Sequence, residues 1–404
     1  MRFSHISIIH PGMHFIGGAE RLMTELALGL ADEETTVDVV TGVCHDVWRS
    51  QLSQKAGFIS VKELGQRASG NLLYWLNING FAKALATLIS PETEVLITSN
   101  FPSSLVAHSF TERHKALVVH YLHDPIALQD KEGIEVHPLR LRIFYRFMGA
   151  LYRGKDAKAI REGDMIIAGS QLSRKENAKI YNVNESDITV VYPGVNVAKL
   201  TPPSDVPQLV NEYVEKKVPI LFVPKGAQFW RRQEVCLQAL SRLQNYSFIA
   251  VFTGGADYEV SSLIKRARFL GISDKVLWFR ELSPDEVNAM YSRSTIVVSI
   301  AKRQGFGLIP LEALILGCPS IISYSSGVAE VLRDEIDTIK VHDDNPEELA
   351  KAIKLLLLDD NMRSKIVSNG QRRVVEGFTS VRFANDIKEK LQVLADNPKH
   401  RQQN

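Results

Sequence analysis

Short apolar, β-branched runs alternate with longer amphipathic stretches along the first half of the chain. The run at 4–10 (SHISIIH) ends in a proline and a glycine, and Leu22, Leu26 and Leu30 then recur at helical spacing. The same order returns with apolar runs at 35–42, 93–100, 115–125, 164–170 and 187–194. Continuous apolar strands separated by helices predict a parallel sheet that is covered on both faces.

A second series of the same kind follows a change of texture. The stretch 196–217 is proline-containing and lacks apolar periodicity, so we interpret it as an interdomain linker. Beyond it, apolar runs occur at 218–226, 246–255, 275–282, 294–301 and 319–327. We therefore expect two doubly wound, Rossmann-like α/β domains facing a cleft, 1–195 and 218–376, with a C-terminal helix at 377–396 crossing back to the N-terminal domain.

Composition narrows the class of protein. A chain of 404 residues with 45% hydrophobic and 23% charged residues is typical of a folded two-domain protein. A net charge of +2 gives no general reason to expect a nucleic-acid partner. Three widely spaced cysteines and the absence of a signal peptide or long apolar run predict a cytoplasmic protein, at most peripheral to a membrane.

Two candidate features follow strands of the first domain. Gly17 and Gly18 precede a helix, where backbone N–H groups can meet a phosphate, although a tight turn would also explain them. His120 and His123 are three residues apart on a strand and so cannot easily share a metal. His123, nearer the strand's end, either is a satisfied loop histidine or hydrogen-bonds a polar substrate.

Two more features follow strands of the second domain. Lys225 and Arg231 can flank an anion, or they can be ordinary surface charges. Glu312 follows a glycine-containing loop and lies at a helix start, where it either stabilises the helix dipole or accepts two hydrogen bonds from a ribose diol.

Several motifs together resemble the retaining glycosyltransferases of family 4, which have the GT-B fold. They are GGAERLMTELALGL, YLHDP, IIAGSQLSR, VVYPGVNV, QGFGLIPLEALILGCPSII, SGVAEVL and the segment from NPEELAK to SVRFA, in that family's order and spacing. GGAER, the histidine before proline and VVYPGV are most similar to the mannosyltransferases of lipid-linked oligosaccharide assembly.

This resemblance implies roles for the candidate residues. Gly17 and Gly18 would approach the phosphates of a nucleotide sugar, His123 would contact the transferred sugar, and Glu312 would hold the ribose. The loop residues expected to line the sugar and pyrophosphate through backbone amides are Gly305, Phe306, Gly307 and Leu308.

The chain also departs from the family's pattern. The usual arginine and lysine of the pyrophosphate site correspond to Lys225 and Arg231, which reverses their order. The first acid of the family's signature corresponds to Gln304, which keeps one hydrogen-bond acceptor, gains two donors and loses the charge.

The resemblance implies transfer of a hexose, with mannose favoured, from a nucleotide diphosphate sugar with retention at the anomeric carbon. No metal or other cofactor is expected, because Lys225 and Arg231 can neutralise the departing diphosphate. A catalytically silent nucleotide-sugar-binding or scaffold subunit is the alternative, because Gln304 replaces an acid. A dinucleotide-dependent oxidoreductase is set aside, because the first loop lacks the glycine fingerprint.

The N-terminal domain is expected to bind the acceptor, a glycan or a polyprenyl-linked sugar. The segment 137–161 mixes basic and apolar residues and either lies on an anionic membrane or is an ordinary helix packed by its apolar side. A soluble acceptor therefore stays open.

Overall fold

The computed structural model describes residues 3–68, 72–123, 139–201, 205–226, 229–255 and 257–396. The chain forms two compact units: the first contains residues 1–193 and 380–404, and the second contains residues 194–379. Each unit is built around one parallel sheet.

Among its described residues, the first unit contains seven strands and eight α-helices. The strands are β1 (His5–Ile9), β2 (Thr36–Thr41), β3 (Ile59–Glu63), β4 (Val95–Ser99), β5 (Leu117–Leu122), β6 (Met165–Ala168) and β7 (Ile188–Val190). The helices are α1 (Gly18–Leu30), α2 (Asp46–Leu52), α3 (Leu72–Leu76), α4 (Ile78–Ala86), α5 (Ser103–Thr111), α6 (Leu139–Arg161), α7 (Gln171–Tyr181) and, at the far end of the chain, α15 (Ser380–Asp396).

The first sheet has the order β3-β2-β1-β4-β5-β6-β7, and every neighbouring pair is parallel. The chain therefore changes its winding direction between β1 and β4. The central strands are buried along nearly their whole length, which explains their continuous apolar sequences. In doubly wound sheets, ligands bind at the carboxyl ends of the strands beside such a switch point.

Helix α15 completes the core of the first unit. Phe383, Ile387 and Leu391 are almost fully buried with residues of the first sheet. The helix packs on α1, where a Cβ at Gly29 would collide with the Ala384 side chain. A glycine at 29 therefore lets the two helices approach closely.

In the part of the second unit that the structure describes, there are six strands and seven α-helices. The strands are β8 (Ile220–Val223), β9 (Ile249–Thr253), β10 (Val276–Phe279), β11 (Ile296–Ser299), β12 (Ser320–Ser323) and β13 (Ile339–Val341). The helices are α8 (Gln208–Glu215), α9 (Gln233–Ser241), α10 (Asp257–Phe269), α11 (Pro284–Arg293), α12 (Ile309–Ile315), α13 (Pro346–Leu358) and α14 (Asp360–Gly377).

The second sheet has the order β10-β9-β8-β11-β12-β13, again with parallel neighbours. Its switch point lies between β8 and β11. Lys225 follows β8, and the loop that begins near Gln304 follows β11, so both lie beside this switch point.

Two sequence expectations differ from the structure. The stretch 196–217, expected to be a linker, lies within the second unit and contains α8, because that helix buries Val210 completely. The sequence also gave no sign of strands β3 and β13. Strand β3 has one buried residue of five, and β13 is three residues long with Lys340 at its centre, so neither makes a continuous apolar run.

Candidate functional site

A chain of hydrogen-bonded polar side chains crosses the switch point of the first sheet. His10 follows β1, and its two ring nitrogens contact Glu20 Oε1 (3.0 Å) and Ser99 Oγ (2.9 Å). Ser99 Oγ, at the end of β4, also lies 2.7 Å from Nε2 of His123, which follows β5. His10, Glu20 and Ser99 are all buried, so four side chains from three strands and a helix form one continuous network.

His123 is held in this network by both its ring and its backbone. Its carbonyl accepts hydrogen bonds from Ser173 Oγ (3.4 Å) and Asn177 Nδ2 (3.5 Å) of α7. The Tyr121 ring packs beside the imidazole at a centroid distance of 4.9 Å. The pKa of His123 is lowered to about 3, and burial is the main cause. The imidazole is therefore neutral near pH 7, and its contact with a sugar stays a prediction.

His120 has a purely structural environment. It is fully buried, and its ring nitrogens contact Thr98 Oγ1 (2.6 Å) and the Ala159 carbonyl (3.1 Å). Burial lowers its pKa to about 4. His120 is thus a satisfied core histidine.

The Gly17–Gly18 turn begins helix α1. Gly17 is the N-cap residue and makes no side-chain cap, and Glu20 lies in the first turn. A Cβ at Gly17 would collide with Glu20 Oε2, whereas the space around Gly18 is open. A side chain at position 17 would therefore displace the Glu20 carboxylate, and phosphate binding by these two glycines stays a prediction.

Sequence reasoning did not single out His10, Glu20 or Ser99. His10 stands at the end of β1 in the same relation to its strand as His123 to β5, which was a usable signal. Ser99 offered no such signal, because a serine at a strand end is common and only the pairing of β4 with β5 brings it to His123.

In the second unit, the loops after β8 and β9 touch through their backbones. Lys225 N–H donates to Thr253 Oγ1 (2.9 Å) and Gly226 N–H donates to the Thr253 carbonyl (2.7 Å). Lys225 has a left-handed backbone (φ 62°) and an exposed side chain. These contacts fix the backbone that carries the lysine at the switch point.

Arg231 ends a short 3₁₀ turn, Phe229–Arg231. The Trp230 carbonyl in that turn accepts a hydrogen bond from Lys302 N–H (2.7 Å), which joins the turn to the segment after β11. The next residue, Arg232, forms ion pairs with Asp343 (3.7 Å) and Asp344 (2.9 Å). Arg232 is therefore engaged by carboxylates of the second unit, and the contact of Arg231 with a diphosphate stays a prediction.

The loop from Gln304 to Leu308 is tied to the segment after β12. Its Gln304 and Phe306 carbonyls each accept a backbone hydrogen bond of 2.9 Å, from Gly327 and Val328. Gly307 has a φ of 100°, and a Cβ there would lie 2.8 Å from Gln304 Oε1. The Gln304 amide thus packs directly against Gly307, within the loop that was expected to bind the sugar and pyrophosphate.

Glu312 lies in the first turn of α12 and is only 5% exposed. Its Oε2 accepts a hydrogen bond from the buried Tyr291 hydroxyl of α11 (3.1 Å). The sequence suggested either a dipole role or a ribose contact. The Tyr291 contact adds a third function, a link between two helices, which sequence spacing did not reveal.

The basic segment expected at 137–161 corresponds to helix α6 from residue 139 onward, and residues 137 and 138 lie outside the described part of the chain. Met148, Tyr152 and Ile160 are buried against the sheet. A second face is exposed, with large apolar side chains four residues apart at Leu139, Ile143, Phe147 and Leu151, which are 71%, 60%, 54% and 42% exposed. Thus the helix packs on the domain and still leaves an apolar stripe exposed.

Within the described residues, no helix is long and apolar enough to cross a membrane.

Two protein-family descriptions match the chain. Residues 16–199 match "Glycosyltransferase Family 4" and residues 208–373 match "Glycosyl transferases group 1". Together they account for most of the sequence.

Characterised and uncharacterised relatives are similar at low identity. An uncharacterized glycosyltransferase of Methanocaldococcus jannaschii is 26% identical over an aligned region that covers 57% of this chain and 62% of that relative's length. The D-inositol 3-phosphate glycosyltransferase of Salinispora arenicola is 22% identical over 91% of this chain and 86% of its own. Human alpha-1,3/1,6-mannosyltransferase ALG2 is 23% identical over 95% of this chain and 94% of its own.

Among solved structures, Anabaena HepE in complex with UDP and glucose has a TM-score of 0.74 at 17% identity, covering 96% of this chain and 100% of that one. This likeness confirms the expected GT-B fold of two Rossmann-like domains. The two family matches extend the same conclusion to the activity class: the chain belongs to the glycosyltransferases of group 1 and family 4, and it is a GT-B glycosyltransferase.

Proposed function

We propose that this enzyme moves a hexose, with mannose favoured, from a nucleotide diphosphate sugar to a hydroxyl of a glycan or lipid-linked acceptor, with retention at the anomeric carbon. The observation that carries the proposal is the placement of the candidate polar residues at the switch point of each sheet. His123 follows β5 in the first unit, and Lys225 and the Gln304 loop follow β8 and β11 in the second. Strand ends at a switch point are where such folds bind ligands.

In the second unit we assign the donor nucleotide to the loops after β8 and β11. Glu312 supplies a carboxylate for the ribose hydroxyls, and the side-chain-poor loop 305–308 offers backbone amides to the sugar and pyrophosphate. Lys225 and Arg231 stabilise the negative charge that develops on the departing diphosphate. This electrostatic assistance needs no metal ion.

Mannose is favoured by the similarity to human alpha-1,3/1,6-mannosyltransferase ALG2, which extends over nearly all of both chains. A lipid-linked acceptor is favoured by the resemblance of GGAER and VVYPGV to the mannosyltransferases of lipid-linked oligosaccharide assembly. The match to D-inositol 3-phosphate glycosyltransferases supports a second acceptor class, a small phosphorylated polyol. These two acceptors differ in kind, so they can be compared directly in one assay.

Gln304 supports a second candidate function, a silent subunit that binds a nucleotide sugar without turnover. The Gln304 amide packs against Gly307 inside the loop, and an acid at this position would restore the charge of the family's pattern. We favour an active enzyme because the other residues of the predicted donor site are all present.

The test is release of nucleoside diphosphate from a panel of nucleotide sugars. Each is assayed alone, with a polyprenyl-linked sugar and with inositol phosphate, with and without a chelator. Wild-type release with one donor, unaffected by the chelator and abolished in Glu312→Ala, would support the transferase. Glu281→Ala, which removes an exposed acid of the same unit, is the matched control and should leave the rate unchanged. Donor binding with turnover only in Gln304→Glu would establish the silent subunit instead.

We also propose that helix α6 brings the enzyme to an anionic membrane surface. The helix contains seven basic residues and one acid, Asp156, which is buried. Beside its exposed stripe lies α3, whose Trp75 ring packs on Phe144 (centroids 6.1 Å apart) and whose Leu73 and Leu76 are 78% and 55% exposed. Exposed apolar side chains with surrounding positive charge match the acyl boundary and headgroups of an anionic bilayer.

Vesicle co-sedimentation tests this surface. The full chain should bind vesicles of phosphatidylcholine with phosphatidylserine and bind weakly to phosphatidylcholine alone. The pair Ile143→Asn and Phe147→Asn should weaken binding by about tenfold or more, because each exposed apolar side chain contributes on the order of 1 kcal/mol when partly inserted. The control pair Leu209→Asn and Phe269→Asn changes apolar residues of the second unit that are 66% and 79% exposed, and it should bind like wild type. Equal loss in both pairs, or no vesicle binding, would contradict the assignment.

A further inference from the structure

The hydrogen-bond network at the first switch point determines which ring nitrogen of His123 carries its proton. Glu20 is almost fully buried, and burial raises its pKa, but the hydrogen bond with His10 and its other contacts lower it overall. Glu20 is therefore ionised at neutral pH and can only accept hydrogen bonds. The His10 nitrogen that contacts it, Nε2, must be the donor.

The next contacts follow from that first one. If His10 is neutral, its proton is on Nε2 and Nδ1 is an acceptor, so the Ser99 hydroxyl donates to Nδ1. Ser99 Oγ then has lone pairs but no proton for its other contact, and Nε2 of His123 must donate to it. A neutral imidazole has one N–H, so Nδ1 of His123 is left as an acceptor.

One other arrangement fits the same distances. If His10 were an imidazolium, its Nδ1 would donate to Ser99, and Ser99 would donate to His123 and place the His123 proton on Nδ1. That arrangement requires a second buried charge, because His10 is fully buried. Both arrangements match every donor to an acceptor, and we take the one with neutral His10, because a buried carboxylate, a neutral histidine and a serine hydroxyl form the same chain at rest in serine hydrolases.

We propose that Glu20, His10 and Ser99 are positioning residues that hold His123 in the tautomer with its proton on Nε2, so that Nδ1 accepts a hydrogen bond from a sugar hydroxyl of the substrate. The part concerning the substrate rests on the proposed function, in which His123 contacts the transferred hexose. This hydrogen-bond network makes His123 selective for a hydroxyl, since a hydroxyl can donate to Nδ1 and a fluorine or an ether oxygen at the same position cannot. Among the described residues, no hydrogen bond to Nδ1 of His123 is present.

The tautomer can be measured without turnover. The full chain, labelled with ¹⁵N-histidine, contains 11 histidines, and loss of one set of signals in His123→Gln assigns the ring. At pH 7.5 we expect a pyridine-type Nδ1 and a protonated Nε2 for His123 in the wild type. Ser99→Ala removes the link and should give a mixture of tautomers, whereas Ser99→Thr keeps a hydroxyl and should restore the single tautomer. Glu20→Gln should also give a mixture of His123 tautomers, because the glutamine amide can donate a hydrogen bond to His10.

Donor binding provides the second measurement. Replacement of the contacted hydroxyl by fluorine should weaken binding by about tenfold in wild type, the effect of one lost hydrogen bond, and by much less in Ser99→Ala. A protonated Nδ1 in wild type, or a tautomer unchanged by Ser99→Ala in a variant with wild-type melting temperature, would overturn the proposal. A fixed tautomer without binding of any nucleotide sugar would support the positioning chain and refute the proposed function.

Discussion

Gly254 connects the stability of the second unit to the position of Lys225. It follows β9, has a φ of 76°, and a Cβ there would lie 2.7 Å from the backbone nitrogen of Gly226. The atom that a new methyl group would meet belongs to the backbone, so no side chain can rotate away. In Gly254→Ala the loop after β8 must move, and this loop contains Lys225.

Gly317 provides a matched control for the conformational part of this effect. Its φ of 84° is similar, but a Cβ there would have no atom within 4 Å. Gly317→Ala should therefore cost only the left-handed strain of alanine, about 1 kcal/mol after the smaller entropy of the unfolded chain is subtracted. Gly254→Ala should cost about 2–4 kcal/mol, because the steric overlap adds about 1–3 kcal/mol.

Thermal unfolding and diphosphate release measure the two consequences. For a unit of this size, about 1 kcal/mol corresponds to roughly 2–4 °C in Tm, so we expect a decrease of about 3 °C for Gly317→Ala and about 6–12 °C for Gly254→Ala. The kcat/KM for donor should fall at least about tenfold in Gly254→Ala, which corresponds to about 1.4 kcal/mol of barrier, and by less than about twofold in Gly317→Ala. Equal effects of the two substitutions on both quantities would refute the reasoning, because strain alone would then explain them.

Three further predictions concern single contacts. Tyr291→Phe should reduce stability by about 1–2 kcal/mol and lower kcat/KM several-fold, because the buried Glu312 carboxylate loses its hydroxyl donor; urea unfolding and steady-state kinetics measure both. Gln304→Glu should change the ratio of kcat/KM between donor sugars in a competition assay, because it replaces an amide by a charge within the Gln304–Leu308 loop, and an unchanged ratio would exclude Gln304 from sugar selection. The pKa of Asp337 is raised by burial but lowered more by hydrogen bonds from Arg333, so its net pKa lies below the unfolded value. The contribution of Asp337 to folding stability is complete above the pKa of the unfolded state and is lost as pH falls through the pKa of the folded state. Asp337→Asn should therefore make Tm depend less on pH in the acid range.

Much of the fold could be predicted from local patterns. The buried strands of both sheets, such as β4 and β8, have continuous apolar sequences because helices cover both of their faces. Strands β3 and β13 could not be found in this way, because β3 has one buried residue of five and β13 is only three residues long. Helix α8 was missed because it is only eight residues long and directly follows a proline-containing stretch, although Val210, Tyr213 and Val214 recur in it at helical spacing.

The residues of the candidate site could be predicted from the sequence, but their contacts could not. Strand ends, glycines and charges are visible in a sequence, so His123, Lys225, Arg231, Gln304 and Glu312 could all be selected before any coordinates were known. The partners that define their chemistry are far away in sequence: Ser99 and His123 are 24 residues apart, and Tyr291 and Glu312 are 21 apart.

The sequence by itself determined the fold class, the two similar domains and the residue types available at the strand ends, because hydrophobic periodicity and turn residues are local properties of the chain. Only the tertiary structure decided that Glu20, His10 and Ser99 reach His123, that Arg232 is engaged by Asp343 and Asp344, and that α6 keeps an exposed apolar stripe. These outcomes depend on which strands are neighbours in the sheet and which helix faces are covered. Such long-range contacts are fixed by packing of the whole domain and leave no mark at any single position.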